Sequence, residues 1–111
     1  LILHSLPVYA QGIARGRRVE YPVGSGRHVD LDRVTDDLRD RMIGLFRVGT
    51  DGRRPSDPVH VPTGPLWQAH PTFSEYFNGD TGAGLGASHQ TGWTAVVADL
   101  ICYRPGEDLK N

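Results

Sequence analysis

The chain has 111 residues, 38% of them hydrophobic, with 12 Lys and Arg against 13 Asp and Glu for a formal net charge of −1. That length suits one small domain, the apolar content argues against wholesale disorder, and the balanced charge offers no field to gather nucleic acid or an anionic membrane surface. Its 14 glycines and 8 prolines predict a loop-rich fold with few regular elements. No apolar run approaches the length of a membrane span. The single cysteine, Cys102, rules out an internal disulfide and suits a reducing cytoplasm, the compartment expected here; beside Leu100 and Ile101 it reads as a small buried residue.

The opening LILHSLPVYA enters at Leu1 as though from mid-protein, so a fragment is expected. His4 and Pro7 interrupt its apolar run and no basic segment precedes it, which argues against a signal peptide. Glycines and prolines punctuate residues 1–29 and predict loop, with at most one short helix around Val8–Arg15. From Asp30 the pattern changes. Leu31, Val34, Leu38, Met42, Leu45 and Phe46 recur at three- and four-residue intervals and mark one face of a helix, with Asp30 placed to cap it. Aspartates toward its start and arginines toward its end suit the helix dipole, and Gly49 stops it. Five prolines from Pro55 to Pro71 then forbid a long helix and favour an extended segment, in which Trp67 and the nearby Phe73 argue against disorder. Trp93, Val96, Val97, Leu100 and Ile101 predict a second helix over Thr91–Tyr103, ended by Pro105 and Gly106, with residues 107–111 a frayed terminus. Two amphipathic helices joined by loops predict an all-α chain that needs a partner layer to cover its apolar faces.

Between these helices stands TFSEYFNGDTGAGLGASHQTGW, residues 72–93, which sets one carboxylate among aromatics and runs straight into a glycine-rich loop. Glycoside hydrolysis needs two carboxylates across the scissile bond, and in the inverting form one of them activates water. Glu75 suits that role, since Phe73, Tyr76 and Phe77 would partly desolvate it and present flat surfaces to a sugar, while the glycines leave room for substrate. A lone aromatic-flanked glutamate is ordinarily a solvated residue at a strand end, so the whole motif is what singles Glu75 out. Gln90 offers two donors and an acceptor to vicinal hydroxyls. His89 could position a hydroxyl or cap a helix, and Trp93 could contact sugar or begin the apolar stripe of its helix.

The segment resembles the C-terminal part of glycoside hydrolases of family sixty-three and their bacterial glucosidase relatives, where an aromatic-flanked EYF precedes an N-x-x-TG-x-GLGASHQTGW loop. The likeness runs in outline from RMIGLF through DGRRP and GPLW, roughly residues 40–102, and is densest from Glu75 to Trp93. It implies the last helices of an (α/α)6 barrel, with residues 1–111 a C-terminal fragment of a catalytic domain whose partner is the missing N-terminal part of the same barrel. It further implies an inverting, exo-acting enzyme on α-glucosides or α-mannosides, with an oligosaccharide or small glucoside as substrate and no cofactor. Glu75 would be its general base, and Gln90, His89, Tyr76, Phe77 and Trp93 its sugar contacts. The family's general acid, an aspartate on a loop far upstream, has no matching position in this chain, so the isolated chain is expected to be inactive. Asp80 sits in an NGDTG turn, where an aspartate serves local backbone hydrogen bonds, and Asp57 is no convincing substitute.

Other readings of the same residues fare worse. Gly82-x-Gly84-x-Gly86 lacks dinucleotide spacing, no strand of β-branched residues precedes it, and no Lys-Ser/Thr pair follows. Asn78-x-Asp80 opens like a calcium loop, but Ala83 and His89 stand where glycine and glutamate are needed. The five histidines are too dispersed for a zinc pattern, so no metal is expected. Arg15, Arg17, Arg18 and Arg27 form a basic patch without interleaved aromatics, hence no nucleic acid. The alternative from another class is a non-catalytic module that binds sugar or a protein.

Overall fold

The computed structural model describes residues 2–62 and 64–102, with backbone placement alone for Thr91 and Trp93. In chain order the elements are α1 (Ile2–Gln11), β1 (Arg18–Glu20), β2 (His28–Asp30), α2 (Leu31–Gly44), α3 (Pro65–Ala69), β3 (Ser74–Phe77), β4 (Gly84–Ser88), α4 (Thr91–Thr94) and α5 (Val96–Cys102). The expectation of an all-α chain ending an (α/α)6 barrel is therefore wrong. Helices are interspersed with two antiparallel hairpins, β1–β2 and β3–β4. The described residues divide into two compact units, the first up to Arg41 and the second Met42–Cys102.

In the first unit α1 begins earlier than the glycine and proline pattern suggested, at Ile2, and runs through Pro7. Pro7 is the sixth residue of this helix, so its ring forfeits the bond that an N–H there would give the Leu3 carbonyl. Arg18 pairs with Asp30 and Glu20 with His28, and the Glu20 carboxylate accepts the Gly26 N–H at 2.7 Å to close the connection. These three-residue strands fall below the length at which alternation can be read. Asp30, expected as a helix cap, lies in β2, where its carboxylate comes within 3.9 Å of Arg18 Nε. The Tyr21 hydroxyl ties the hairpin to α2 by donating to Asp37 at 2.5 Å.

Helix α2 starts where the 3.6-residue period placed it but ends at Gly44, short of the expected stop at Gly49, so Leu45 and Phe46 fall in the following turn; its most buried residues are Thr35, Arg39 and Ile43, at four-residue spacing, while Leu31, Val34, Leu38 and Met42 flank that line half-buried.

The second unit is built around Phe46, whose ring meets Phe73 and Phe77, each at a 5.8 Å centroid separation, the latter edge-to-face. Side chains replace regular structure in the proline-rich segment. Arg53 donates to the carbonyls of Pro58 and Val61, and Arg54 to that of Gln68. Ser56 links the end of α2 to the hairpin, its N–H donating to the Leu45 carbonyl and its own carbonyl accepting from Gly84 N–H at 3.1 Å. The expected extended run thus folds into turns and the short α3, because prolines exclude a long helix without excluding turns.

The second expected helix is broken at Ala95 into α4 and α5, and among the described side chains of its apolar stripe only Val97 and Leu100 are buried. Cys102 is exposed rather than buried, being on the far side of α5 from Leu100. The expected helix end at Tyr103, its terminators Pro105 and Gly106, and the frayed terminus at 107–111 lie outside the described residues.

Candidate functional site

The glycine-rich loop of the sequence is a strand. Asn78 N–H donates to the Ala83 carbonyl, Gly82 N–H to the Asn78 carbonyl, and the Asn78 side-chain oxygen accepts from the N–H groups of Asp80 and Thr81. The turn role expected of Asp80 thus belongs to Asn78, which bridges its own backbone as asparagine commonly does in turns. From this turn Phe77 pairs with Gly84, Tyr76 with Leu85 and Ser74 with Ser88. Between the last two pairs β3 has one residue, Glu75, and β4 has two, Gly86 and Ala87, so the hairpin carries a β-bulge opposite the candidate base.

That bulge positions the carboxylate. Ala87 donates its backbone N–H to Glu75 Oε2 at 3.2 Å. Gly86 adopts φ 75°, a left-handed conformation that a side chain would strain, and a Cβ added there would lie 2.7 Å from Glu75 Oε2 and 2.6 Å from Tyr76 Cε1. The missing side chain is what lets both groups lie over the strand. Gly84 has a parallel role toward the interior, since a Cβ would sit 2.6 Å from the Ser56 carbonyl oxygen and press on the Ser74 side chain. Glycine at these two positions is a packing requirement of the hairpin.

Glu75 and Tyr76 are both exposed. The expected desolvation by neighbouring aromatics does not occur, because Phe73 and Phe77 turn toward Phe46 and build the interior instead. Phe77 is accordingly half-buried in the aromatic cluster rather than laid beside the carboxylate. Beyond the Ser74–Ser88 pair, Gln90 N–H donates to the Phe73 carbonyl at 3.0 Å, which carries the ladder onward and leaves the Gln90 side chain exposed. His89, also exposed, has φ 64°, so the chain turns sharply between the bulge and Gln90. The hairpin therefore gathers Glu75, Tyr76, His89 and Gln90 at one end. The Trp93 side chain lies outside the described residues.

Neither aspartate considered as a partner carboxylate is disposed for proton transfer to a substrate. Asp57 is 7% exposed, accepts the Arg54 N–H at 2.8 Å and faces the Arg54 guanidinium; Asp80 is exposed in the turn. Among the described residues no three His, Cys, Asp or Glu side chains cluster to hold a metal ion, and no helix is long and apolar enough to cross a membrane.

The chain is 41% identical over 108 residues to Uncharacterized protein YMR196W of Saccharomyces cerevisiae, a match covering 91% of this chain and 10% of that protein. The chain thus spans about a tenth of the length of the curated relative it matches. No protein-family profile and no solved structure matches it.

Proposed function

We propose that this chain supplies the base side of an inverting, exo-acting glycoside hydrolase site for α-glucosides or α-mannosides. Glu75 takes the proton from the attacking water, while Gln90 and His89, with Tyr76, hold the sugar's hydroxyls and ring face. The observation that carries the reading is the bulge. A carboxylate that accepts a backbone N–H, is exposed to water and is given room by a glycine is held in one orientation toward solvent. Positioned general bases of this kind contribute about 10²–10⁴-fold to rate. In the longer enzyme carrying this segment, Glu75→Gln lowers turnover by that order at nearly unchanged substrate binding; turnover within tenfold of the parent removes Glu75 as base.

A second reading, a sugar-binding surface without turnover, is favoured by the lack of a second suitably placed carboxylate among the described residues. It predicts that the 111-residue chain binds sugar through Gln90 and releases no monosaccharide.

A further inference from the structure

A cavity of about 230 Å³ lies wholly within the first unit, lined by Pro7 and Gln11 of α1 and by Asp32, Thr35, Asp36 and Arg39 of α2. Arg39 is 4% exposed, yet its guanidinium is only partly used. Nη1 donates to Asp36 at 3.3 Å, while Nε and Nη2 are buried without an acceptor. Buried donors are ordinarily satisfied, and a charged one left bare is the costliest kind. Nε and Nη2 form one edge of the planar group, the fork that grips both oxygens of a carboxylate at once.

The rim has the opposite character. Asp32 and Asp36 are exposed and stand four residues apart on α2, a spacing at which like charges repel. Two carboxylates against one guanidinium leave the lining negative by one charge, which a ligand of net charge +1 balances. A dianion such as phosphate would satisfy the fork but meet both aspartates, and a simple diamine would satisfy the aspartates but leave the fork bare. The volume falls below the roughly 300 Å³ at which drug-sized sites begin, which limits the ligand to about the size of an amino acid. We propose that this pocket binds a free basic amino acid of the lysine type, its α-carboxylate on Arg39 Nε and Nη2 and its ammonium groups at Asp32 and Asp36. Both nitrogens are closed to water, so seating the carboxylate moves a wall side chain, a part for which the exposed Gln11 at the end of α1 is placed. The inference does not rest on the reading of Glu75.

The chain is labelled with nitrogen-15 and the Arg39 Nε–H signal, assigned by Arg39→Lys, is followed while L-lysine, L-alanine, acetate and cadaverine are titrated in turn. The expected result is a saturable shift with lysine, about threefold weaker binding of alanine, since an exposed ion pair adds little more, and no saturable shift with acetate or cadaverine at ten times the lysine concentration. Asp32→Asn, at an exposed position, lowers lysine affinity to that of alanine by calorimetry, which keeps the test open if Arg39→Lys fails to fold. Acetate that shifts the signal as well as lysine does overturns the proposal in favour of a plain anion contact. Cadaverine that displaces lysine at equal concentration overturns it in favour of a plain acidic surface, and silence with all four compounds overturns it outright. Calorimetry on the longer protein carrying this segment closes the test: lysine binding that persists there upholds the site, and binding that vanishes shows the pocket to be covered by another segment and overturns it.

Discussion

Glu75 and Ala87 face each other across the β3–β4 bulge, with the alanine N–H held 3.2 Å from the glutamate Oε2. The geometry depends on the residue between them and its strand neighbours. Gly86→Ala places a methyl group against Glu75 and Tyr76 and demands a left-handed backbone of an alanine. Such a conformation costs an L-residue about 1–2 kcal/mol before any clash is counted. We expect the denaturation midpoint to fall by at least that equivalent, and the Ala87 amide to lose protection from exchange as the carboxylate is displaced. An unchanged midpoint with an unchanged Ala87 amide contradicts this account of the bulge.

The Gln90 side chain is exposed while its backbone N–H completes the ladder to Phe73. Substitution to alanine removes the amide without touching the ladder, so stability stays within about 0.5 kcal/mol. In the enzyme carrying this segment, Gln90→Ala raises KM and lowers kcat/KM by roughly tenfold, the worth of one or two hydrogen bonds to sugar. If kcat/KM is unaltered, Gln90 is no sugar contact.

The sequence revealed α2 because its period is sustained over four turns, and it revealed the importance of residues 72–93 because aromatics, one acid and glycines are concentrated there. It concealed the hairpin that gives those residues their geometry. Glycine weakens the strand signal, and Gly84 and Gly86 were read as room for a ligand when their spacing of two is also that of a strand. The Asn78–Gly79–Asp80 turn between SEYF and GLGAS is a hairpin signal that could have shown β3 and β4 as a pair. Aromatic proximity in sequence misled in a second way. Phe73 and Phe77 flank Glu75 along the chain, but Phe46, a residue 27 positions before Phe73, claims both rings.

Asp57 is a stability determinant rather than a catalytic acid. Its carboxylate accepts the Arg54 N–H and lies 3.8 Å from that residue's guanidinium, with side-chain exposures of 4% and 11%. Removing one partner of a buried pair leaves the other charge uncompensated, at a cost of about 3–5 kcal/mol. Asp57→Ala should approach the lower figure in urea denaturation. Asp57→Asn also leaves the Arg54 charge unpaired but keeps an acceptor for the Arg54 N–H, so it should lose less by about 1 kcal/mol, the worth of that bond. Equal losses from both substitutions would show that the charge, and not the backbone hydrogen bond, is what matters at this turn.

In the first unit, the hydrogen bond from Tyr21 to Asp37 moves both groups in opposite directions. It lowers the Asp37 pKa, helped by the bond from Arg41, and the neighbouring Asp37 raises the Tyr21 pKa. A carboxylate depressed on folding adds stability above its unfolded value, about 4, which is lost as pH falls through the lower folded value. A phenol raised on folding adds stability below its unfolded value, about 10, which is lost as pH rises through the higher folded value. Tyr21→Phe removes the shared bond, so the gap in stability between wild type and variant should be widest and level between roughly pH 5 and 9 and narrow at both extremes. Urea midpoints at pH 3, 7 and 11 measure that gap. A gap near zero at all three would mean that Tyr21 acts through its ring packing alone, and that the hydroxyl contributes nothing to fastening the β1–β2 hairpin to α2.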